Sequence, residues 1–236
     1  MKKTIIIFSI LLNGLLPWKE SLKDDFNHEF EKLIQLYQSQ EIDGSNLAYI
    51  NRTLDLFHDY TYAFPDDPEG HVALGGLYDI KSYNESIKNQ NQVSMTSGTF
   101  EAAIISTDYF NKALEIDPGY SGRHISFLGP NYKRISIWGA LAMRYYYEGK
   151  IDSMNIAYDR ANKMGAYSNH IKDYGHNLMK GCDYKSILIT NGDMDTFPLL
   201  YLQNKGQLKD IKVANLSLLN ASWYIEQIYN NNADGT

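Results

Sequence analysis

The amino-acid sequence predicts a mainly α-helical protein with a small α/β part at its carboxyl end. Two observations predict this fold class. From about residue 25 to 168, apolar residues recur at helical spacing. After Cys182, two short apolar runs of strand length flank one helical segment. We therefore expect helical hairpins over residues 19–170 and a β-α-β-α module with a short parallel sheet over residues 171–236.

Composition places the chain among ordinary globular proteins, because 44% of its 236 residues are hydrophobic and 21% are charged. Acidic residues outnumber basic ones by 28 to 22, which gives a net charge of -6. This balance argues against a nucleic-acid partner, since phosphate backbones are bound largely by cationic charge. The single cysteine, Cys182, excludes an intrachain disulfide and any multi-cysteine metal site. We expect no cofactor.

The amino-terminal segment, residues 1–18, has the layout of an export signal. Lys2 and Lys3 precede an apolar run from Thr4 to Leu12, which is well short of the about 20 residues that a membrane-spanning helix needs. No A-x-A cleavage site follows, so an uncleaved tether and a buried first helix stay open as alternatives. We expect an exported protein of the periplasm or cell envelope that contacts the membrane only through this segment, if the segment is uncleaved.

Two helical hairpins between residues 45 and 168 share a pattern of large and small residues. The first hairpin contains His71-x2-Leu74-Gly75-x2-Tyr78 and Ser106-x3-Phe110-x2-Ala113-x4-Pro118. The second contains Trp138-x2-Leu141-Ala142-x2-Tyr145 and Tyr158-x2-Ala161. These motifs resemble tetratricopeptide (TPR) repeats, in which a small residue lets the second helix approach the first closely. An irregular helical bundle is the alternative.

Two insertions interrupt the spacing of this repeat. The first, around Asn84 to Gly98, is rich in polar residues, and we expect it to be mobile. The second lies between Pro118 and Trp138. It carries or adjoins four basic residues that form either an anion site or a solvated basic face: Arg123, His124, Lys133 and Arg134.

The inward face of the second hairpin is the predicted partner groove. Its positions are Ser136, Ala140, Met143, Tyr146 and Tyr147. This set is uncharged and aromatic, so it suits an apolar or extended segment of a protein or peptide partner better than a charged chain terminus.

The loop after the first predicted strand is the candidate ligand site. The strand, Ser186 to Thr190, is continuously apolar, so we expect it to be covered on both faces. Ligands of open α/β sheets bind at the carboxyl ends of the strands. The residues at this edge are Asn191, Asp193, Asp195, Thr196 and, after the second strand, Asn215.

Three roles are open for this loop. Asp193 and Asp195 are oxygen ligands of the kind that hold a divalent cation, which is the weaker hypothesis. A polar ligand or glycan is the second. The third is structural, with Asp193 bound to turn amides and Asp195 or Thr196 capping the following helix.

The same region resembles a known family along two stretches, Lys185 to Gln203 and Val213 to Ile225. They are similar to the soluble tail of a large bacterial membrane-protein family, of the Bacteroidetes type, related to protein O-mannosyltransferases. The multi-span catalytic portion of that family has no counterpart in these 236 residues. The resemblance therefore implies a glycosyltransferase-related accessory module and an exported setting, without transferase activity.

Two functional hypotheses follow. The first is an exported, non-enzymatic scaffold or adaptor that binds a protein or peptide partner in the cell envelope. The alternative is a glycan-handling accessory protein or cryptic sugar-active enzyme that uses the loop from Asn191 to Asp195. In both cases the module is too small to bury its own apolar residues, so we expect it to dock against the last helices, near Tyr158 to Tyr174, or against another chain.

Overall fold

The computed structural model describes residues 2–42, 46–82 and 98–230 of the chain. Within these residues the chain is mainly α-helical and ends in a small α/β part, as the sequence predicts. The predicted mobile insertion lies outside the described residues, apart from Gly98. The helices are α1 (Lys2–Gln38), α2 (Leu47–Ala63), α3 (Pro68–Ser82), α4 (Phe100–Ile116), α5 (Pro130–Tyr147), α6 (Ile151–Lys163), α7 (Asn169–Lys180), α8 (Asp193–Asn204) and α9 (Ser222–Asn230); the strands are β1 (Ile187–Thr190) and β2 (Lys212–Asn215).

Helix α1 runs without a break through Pro17 and across the expected boundary at residue 18. Its carboxyl-terminal half is amphipathic, and Phe26, Phe30 and Leu33 are fully buried. These side chains pack on α2, where the ring of Phe26 stacks on that of Tyr60 with centroids 3.7 Å apart. None of the described helices combines the length and the apolar character that a transmembrane segment requires.

Consecutive helices pack against each other from α1 to α6. A Cβ atom on Gly75 of α3 would lie 2.8 Å from the ring of Phe110 in α4, so glycine permits the close approach of these two helices. In the next hairpin, the turn between α5 and α6 contains Gly149 in a left-handed conformation, with φ of 69°. The packing role expected of the small residue in the first hairpin is therefore observed, whereas the assignment to the TPR family stays a prediction.

Helix α5 lies at the centre of a core that it shares with α4 and α6. This core is separate from the one that α1 and α2 share, and we call it the second core. Trp138 is completely buried, and its indole Nε1 donates a hydrogen bond to the hydroxyl of Thr107 at 2.9 Å. Tyr158 of α6 is also buried in this core. The core continues into the carboxyl-terminal residues, including Phe197, Leu199 and Trp223.

The two strands pair in parallel, with Ile187 opposite Lys212 and Thr190 opposite Asn215. Helix α8 connects them, and a 3₁₀ turn from Leu216 to Asn220 leads into α9. Helix α8 packs against α5, α6 and α7, which confirms the expected docking on the last helices and adds α5 to that surface.

The expectation that the first strand is covered on both faces is wrong. Ile187 is 58% exposed and Ile189 is 59% exposed. Their neighbour Leu188 is partly buried and packs against the second core. Alternate side chains of a strand point to opposite faces, so the protein covers one face of β1 and leaves the other open.

Candidate functional site

The loop after β1 is closed by a buried hydroxyl. Asn191 is exposed, and Gly192 occupies the position before the first residue of α8. Thr196 is completely buried, and its hydroxyl donates to the carbonyl oxygen of Gly192 at 2.7 Å. The same hydroxyl lies 2.6 Å from that of Thr190 at the end of β1. Thr196 therefore joins the strand to the helix.

Asp193 joins the loop to α5. Its Oδ2 accepts a hydrogen bond from the hydroxyl of Ser136 at 2.9 Å. Burial raises the pKa of the Asp193 carboxyl above its usual value, while the Ser136 hydrogen bond and the charge of Lys133 oppose this rise. The structure thus brings together one residue of the predicted groove and one residue of the predicted ligand loop.

The two remaining residues of the candidate ligand site differ in their exposure to solvent. Asp195 is exposed, while Asn215 is 1% exposed at the end of β2. The Asn215 side chain accepts from the backbone N–H of Ser217 at 2.9 Å, and its own backbone N–H donates to the hydroxyl of Tyr224 at 2.9 Å. Among residues 2–42, 46–82 and 98–230, no three His, Cys, Asp or Glu side chains are grouped so that they hold a metal ion.

Several residues of the predicted groove on α5 contact other parts of the chain. Met143 is 2% exposed, and Tyr147 makes an edge-on contact with Trp223 of α9, with ring centroids 4.8 Å apart. The carbonyl oxygen of Tyr146 accepts a hydrogen bond from the Gln227 side chain. Residues of α8 and α9 thus contact Ser136, Tyr146 and Tyr147, and a partner groove at these positions, Ala140 and Met143 stays a prediction.

A cleft remains where α5 and α6 meet the module, and we call it the interface cleft. Its volume is about 280 Å³, and Met143, Tyr146, Met154, Tyr158, Lys212 and Tyr224 are among its lining residues. Two of these, Met143 and Tyr146, come from the predicted groove. The other four could not be assigned to a site from the sequence, because no local pattern places α6, β2 and α9 around the same space.

The basic residues of the second insertion bind other parts of the chain. Arg123 forms an ion pair with Glu69 at 2.6 Å. Lys133 forms a buried ion pair with Asp79 at 2.8 Å. Arg134 donates to the side chains of two asparagines, and His124 bonds the carbonyl oxygen of Ser126. Arg123 thus anchors the insertion to α3, Lys133 and Arg134 link α5 to α3 and α4, and His124 bonds within the insertion.

The open face of β1 is the clearest exposed apolar surface of the module. It contains Ile187 and Ile189, with Tyr184 just before the strand at 74% exposure. Within the described part of the chain, β1 pairs with β2 alone, so its other edge has no strand neighbour. We call these three residues and this free edge the β1 surface.

Comparison with known families supports the resemblance of the carboxyl-terminal region. Residues 171–236 match the family of TMEM260-associated domain 2. The match links this region to the TMEM260 family, which is related to O-mannosyltransferases. No curated protein matches the chain.

Proposed function

We propose that the protein is an exported, non-enzymatic accessory protein of the cell envelope, in which a TPR-like helical scaffold carries the TMEM260-associated module and presents it to a protein partner. The observation that carries this proposal is the division of the module into two sides. One side packs on α5 and α6, while the β1 surface on the other side is exposed.

Because the module packs on α5, we propose a binding surface on β1 and not on α5. Met143 offers a protein partner little surface because it is 2% exposed, and the ring of Tyr147 already contacts Trp223 of α9. Ile187 and Ile189 of the β1 surface, by contrast, are more than half exposed. A strand edge with unpaired backbone groups accepts an extended segment of another chain as a further strand, and apolar side chains beside it supply specificity.

The family match suggests the kind of partner. The domain is named for its association with TMEM260, and that family is related to O-mannosyltransferases. We therefore propose a membrane protein of this glycosyltransferase-related kind as the partner, with an extended apolar segment that pairs with β1. In this proposal the chain acts as a binding module.

The glycan-handling alternative has less support from the loop. Only Asn191 and Asp195 of the five predicted residues are exposed. Asp193, the carboxylate whose pKa is raised, already accepts a hydrogen bond from Ser136. A sugar at this edge would therefore meet one carboxylate, whereas acid and base catalysis by carboxylates uses a pair.

Photo-crosslinking tests the proposal in cells of the source organism. Benzoylphenylalanine is placed at Ile187 or at Ile189, and at Ile156 of α6 as a control of matched 57% exposure. We expect the first two positions to crosslink the same membrane protein, at an extended segment of it, and the control position to give no such product. Identical products at all three positions would contradict the assignment of the β1 surface.

A charge substitution provides a second test of the β1 surface. Ile189→Lys places a cation on the free edge, a device by which proteins prevent strand addition. We expect it to abolish recovery of the crosslinked protein, whereas Ile156→Lys retains it. Because both side chains are exposed, circular dichroism should show the same fold for both variants.

A further inference from the structure

The interface cleft has mostly apolar walls. Met143 and Met154 come from the helices, and Val213 and Ile228 come from the module. Its volume of about 280 Å³ equals roughly nine groups of the size of a water molecule, at about 30 Å³ each. This lies just below the usual range of ligand cavities, so the cleft suits a small molecule.

Tyr158 lines the cleft, and its buried hydroxyl has no hydrogen-bond partner in the described part of the chain. Tyr158 is 1% exposed, and among the described residues nothing accepts from or donates to its hydroxyl group. Leaving such a group unsatisfied costs about 1–3 kcal/mol. Tyr146 and Tyr224 line the same cleft. An oxygen atom of a ligand would accept the hydrogen bond that Tyr158 is able to donate.

The charge of the cleft is positive. Lys209 and Lys212 line it, and among the described residues no aspartate or glutamate does. The Nζ of Lys212 donates to the carbonyl oxygen of Ile228 at 2.7 Å, which uses one of its three protons. In the part of the chain that the structure describes, neither lysine forms an ion pair. The lining thus complements an anion.

We propose that the interface cleft binds a small amphiphile with an anionic oxygen head group and an apolar body of about eight to ten carbon atoms. The head group accepts hydrogen bonds from Tyr158 and lies near Lys212, while the body packs against Met143 and Met154. A carboxylate and a phosphate monoester share this chemistry. The inference rests on the cleft alone and does not depend on the proposed protein partner.

The test uses the full chain, labelled at the methionine methyl groups, and four probes with the same ten-carbon body: undecanoate, decyl phosphate, decan-1-ol and decyltrimethylammonium. We expect the anions to shift the methyl resonances of Met143 and Met154 but not that of Met179, which is buried away from the cleft. The anion with the lower Kd in calorimetry identifies the head group. No binding by either anion, or equal binding of the alcohol or the cation, would overturn the proposal.

A pair of conservative variants separates binding from folding. Tyr158→Phe removes only the unpartnered hydroxyl, so we expect an unchanged or higher melting temperature and roughly tenfold weaker binding of the preferred anion. Tyr167→Phe is the matched control, because Tyr167 is 2% exposed and its hydroxyl is likewise unpartnered, yet it does not line the cleft. An unchanged Kd in Tyr158→Phe, or equal weakening in both variants, would contradict the assigned role of Tyr158.

Lys212→Met tests the charge while keeping much of the aliphatic stem. We expect it to weaken binding of the preferred anion and to leave binding of decan-1-ol unchanged. Equal losses for the anion and the alcohol would show that Lys212 acts through packing and would overturn its assignment to the head group.

Discussion

At the scale of single residues, the contact between Ser136 and Asp193 joins the two parts of the protein. The serine hydroxyl donates to a carboxylate whose pKa is raised by burial, across 57 positions of sequence. A hydrogen bond to a charged group is stronger than one to a neutral group. The contact therefore stabilises the docked module most when Asp193 is ionised.

Ser136→Ala should lower the free energy of unfolding by about 1–3 kcal/mol near neutral pH, since the partly buried carboxylate of Asp193 loses its donor. The Ser136 hydrogen bond lowers the pKa of Asp193, so its contribution is present above that pKa and is lost as the pH falls through it. Urea unfolding at pH 7 and at about pH 4 measures the difference between variant and parent. We expect the difference to shrink at the lower pH.

The control for this prediction is Ser153→Ala, which changes a partly buried serine of α6 without touching Asp193. Its effect should be small and independent of pH. A loss of stability in Ser136→Ala that is the same at both pH values would show that the hydroxyl acts through packing and not through the carboxylate.

The sequence identified Asp193 and Thr196 but could not identify their partners. Residue type and position after a strand indicate a polar loop at a helix start, and Thr196 indeed bonds the carbonyl oxygen of Gly192. Ser136 was assigned to a different surface, because a helical period shows which residues share a face but not which element covers that face.

At the scale of elements, α5 is a helix covered on several sides, and Gly139 is the residue that permits this. A Cβ atom there would lie 1.7 Å from a ring carbon of Phe197 in α8. The ring, 3% exposed, thus lies directly on the backbone of α5. Helix periodicity predicted α5 correctly through Trp138 and Leu141. Gly139 has no side chain, so the pattern of apolar residues did not indicate close packing at this point of α5.

The substitution Gly139→Ala tests whether helix propensity or side-chain packing dominates the stability at this position. In an exposed helix the change would stabilise by about 1 kcal/mol. Here the overlap with Phe197 is too large for a small shift, and overpacking costs about 1–3 kcal/mol or more. We therefore expect net destabilisation, measured as a lower melting temperature, together with greater exposure of Trp223 to a fluorescence quencher.

Gly181→Ala is the control for this substitution. Gly181 has right-handed backbone angles, and a Cβ atom there would make only ordinary contacts of 3.5 Å and longer. We expect a neutral or slightly stabilising effect. If Gly139→Ala behaves in the same way, α8 is less tightly packed on α5 than the distance indicates.

The strands show where an apolar run misleads. Residues 187–189 are continuously apolar, which is typical of a strand buried on both faces. In the structure Leu188 packs against the core, while Ile187 and Ile189 are exposed. The run alone does not distinguish a face covered within the chain from one left open for another chain.

At the scale of the whole molecule, the second core is continuous across the boundary between the helical part and the module. Tyr158 and Trp138 belong to the same cluster as Phe197, Leu199 and Trp223. The sequence predicted the docking from the excess of apolar residues in a module of this size. It did not predict that α5 takes part, because that contact depends on Gly139 and on the path of α8.

The continuous core predicts that the helical part and the module unfold together. In the full chain Phe197, Leu199 and Trp223 are 3%, 1% and 5% exposed, and a fragment of residues 180–236 would lack the helices that cover them. Burying each such side chain contributes about 1.5–3 kcal/mol, so exposing all three costs about 5–9 kcal/mol. This is comparable to the entire stability of a small domain. We therefore expect the full chain to unfold in a single thermal transition and the fragment to be unfolded or aggregated.

Calorimetry of the full chain and an amide correlation spectrum of the fragment measure these two outcomes. If unfolding is a single transition, tyrosine and tryptophan fluorescence and far-ultraviolet circular dichroism change at the same temperature, because neither half of the shared core unfolds without the other. A second transition would locate a boundary that the continuous core does not predict. A well-dispersed spectrum from the monomeric fragment would mean that β1, β2, α8 and α9 fold without the rest of the chain. Their contacts with α5, α6 and α7 would then orient these elements without contributing the ~5–9 kcal/mol of stability estimated above, which is about the stability of a small domain.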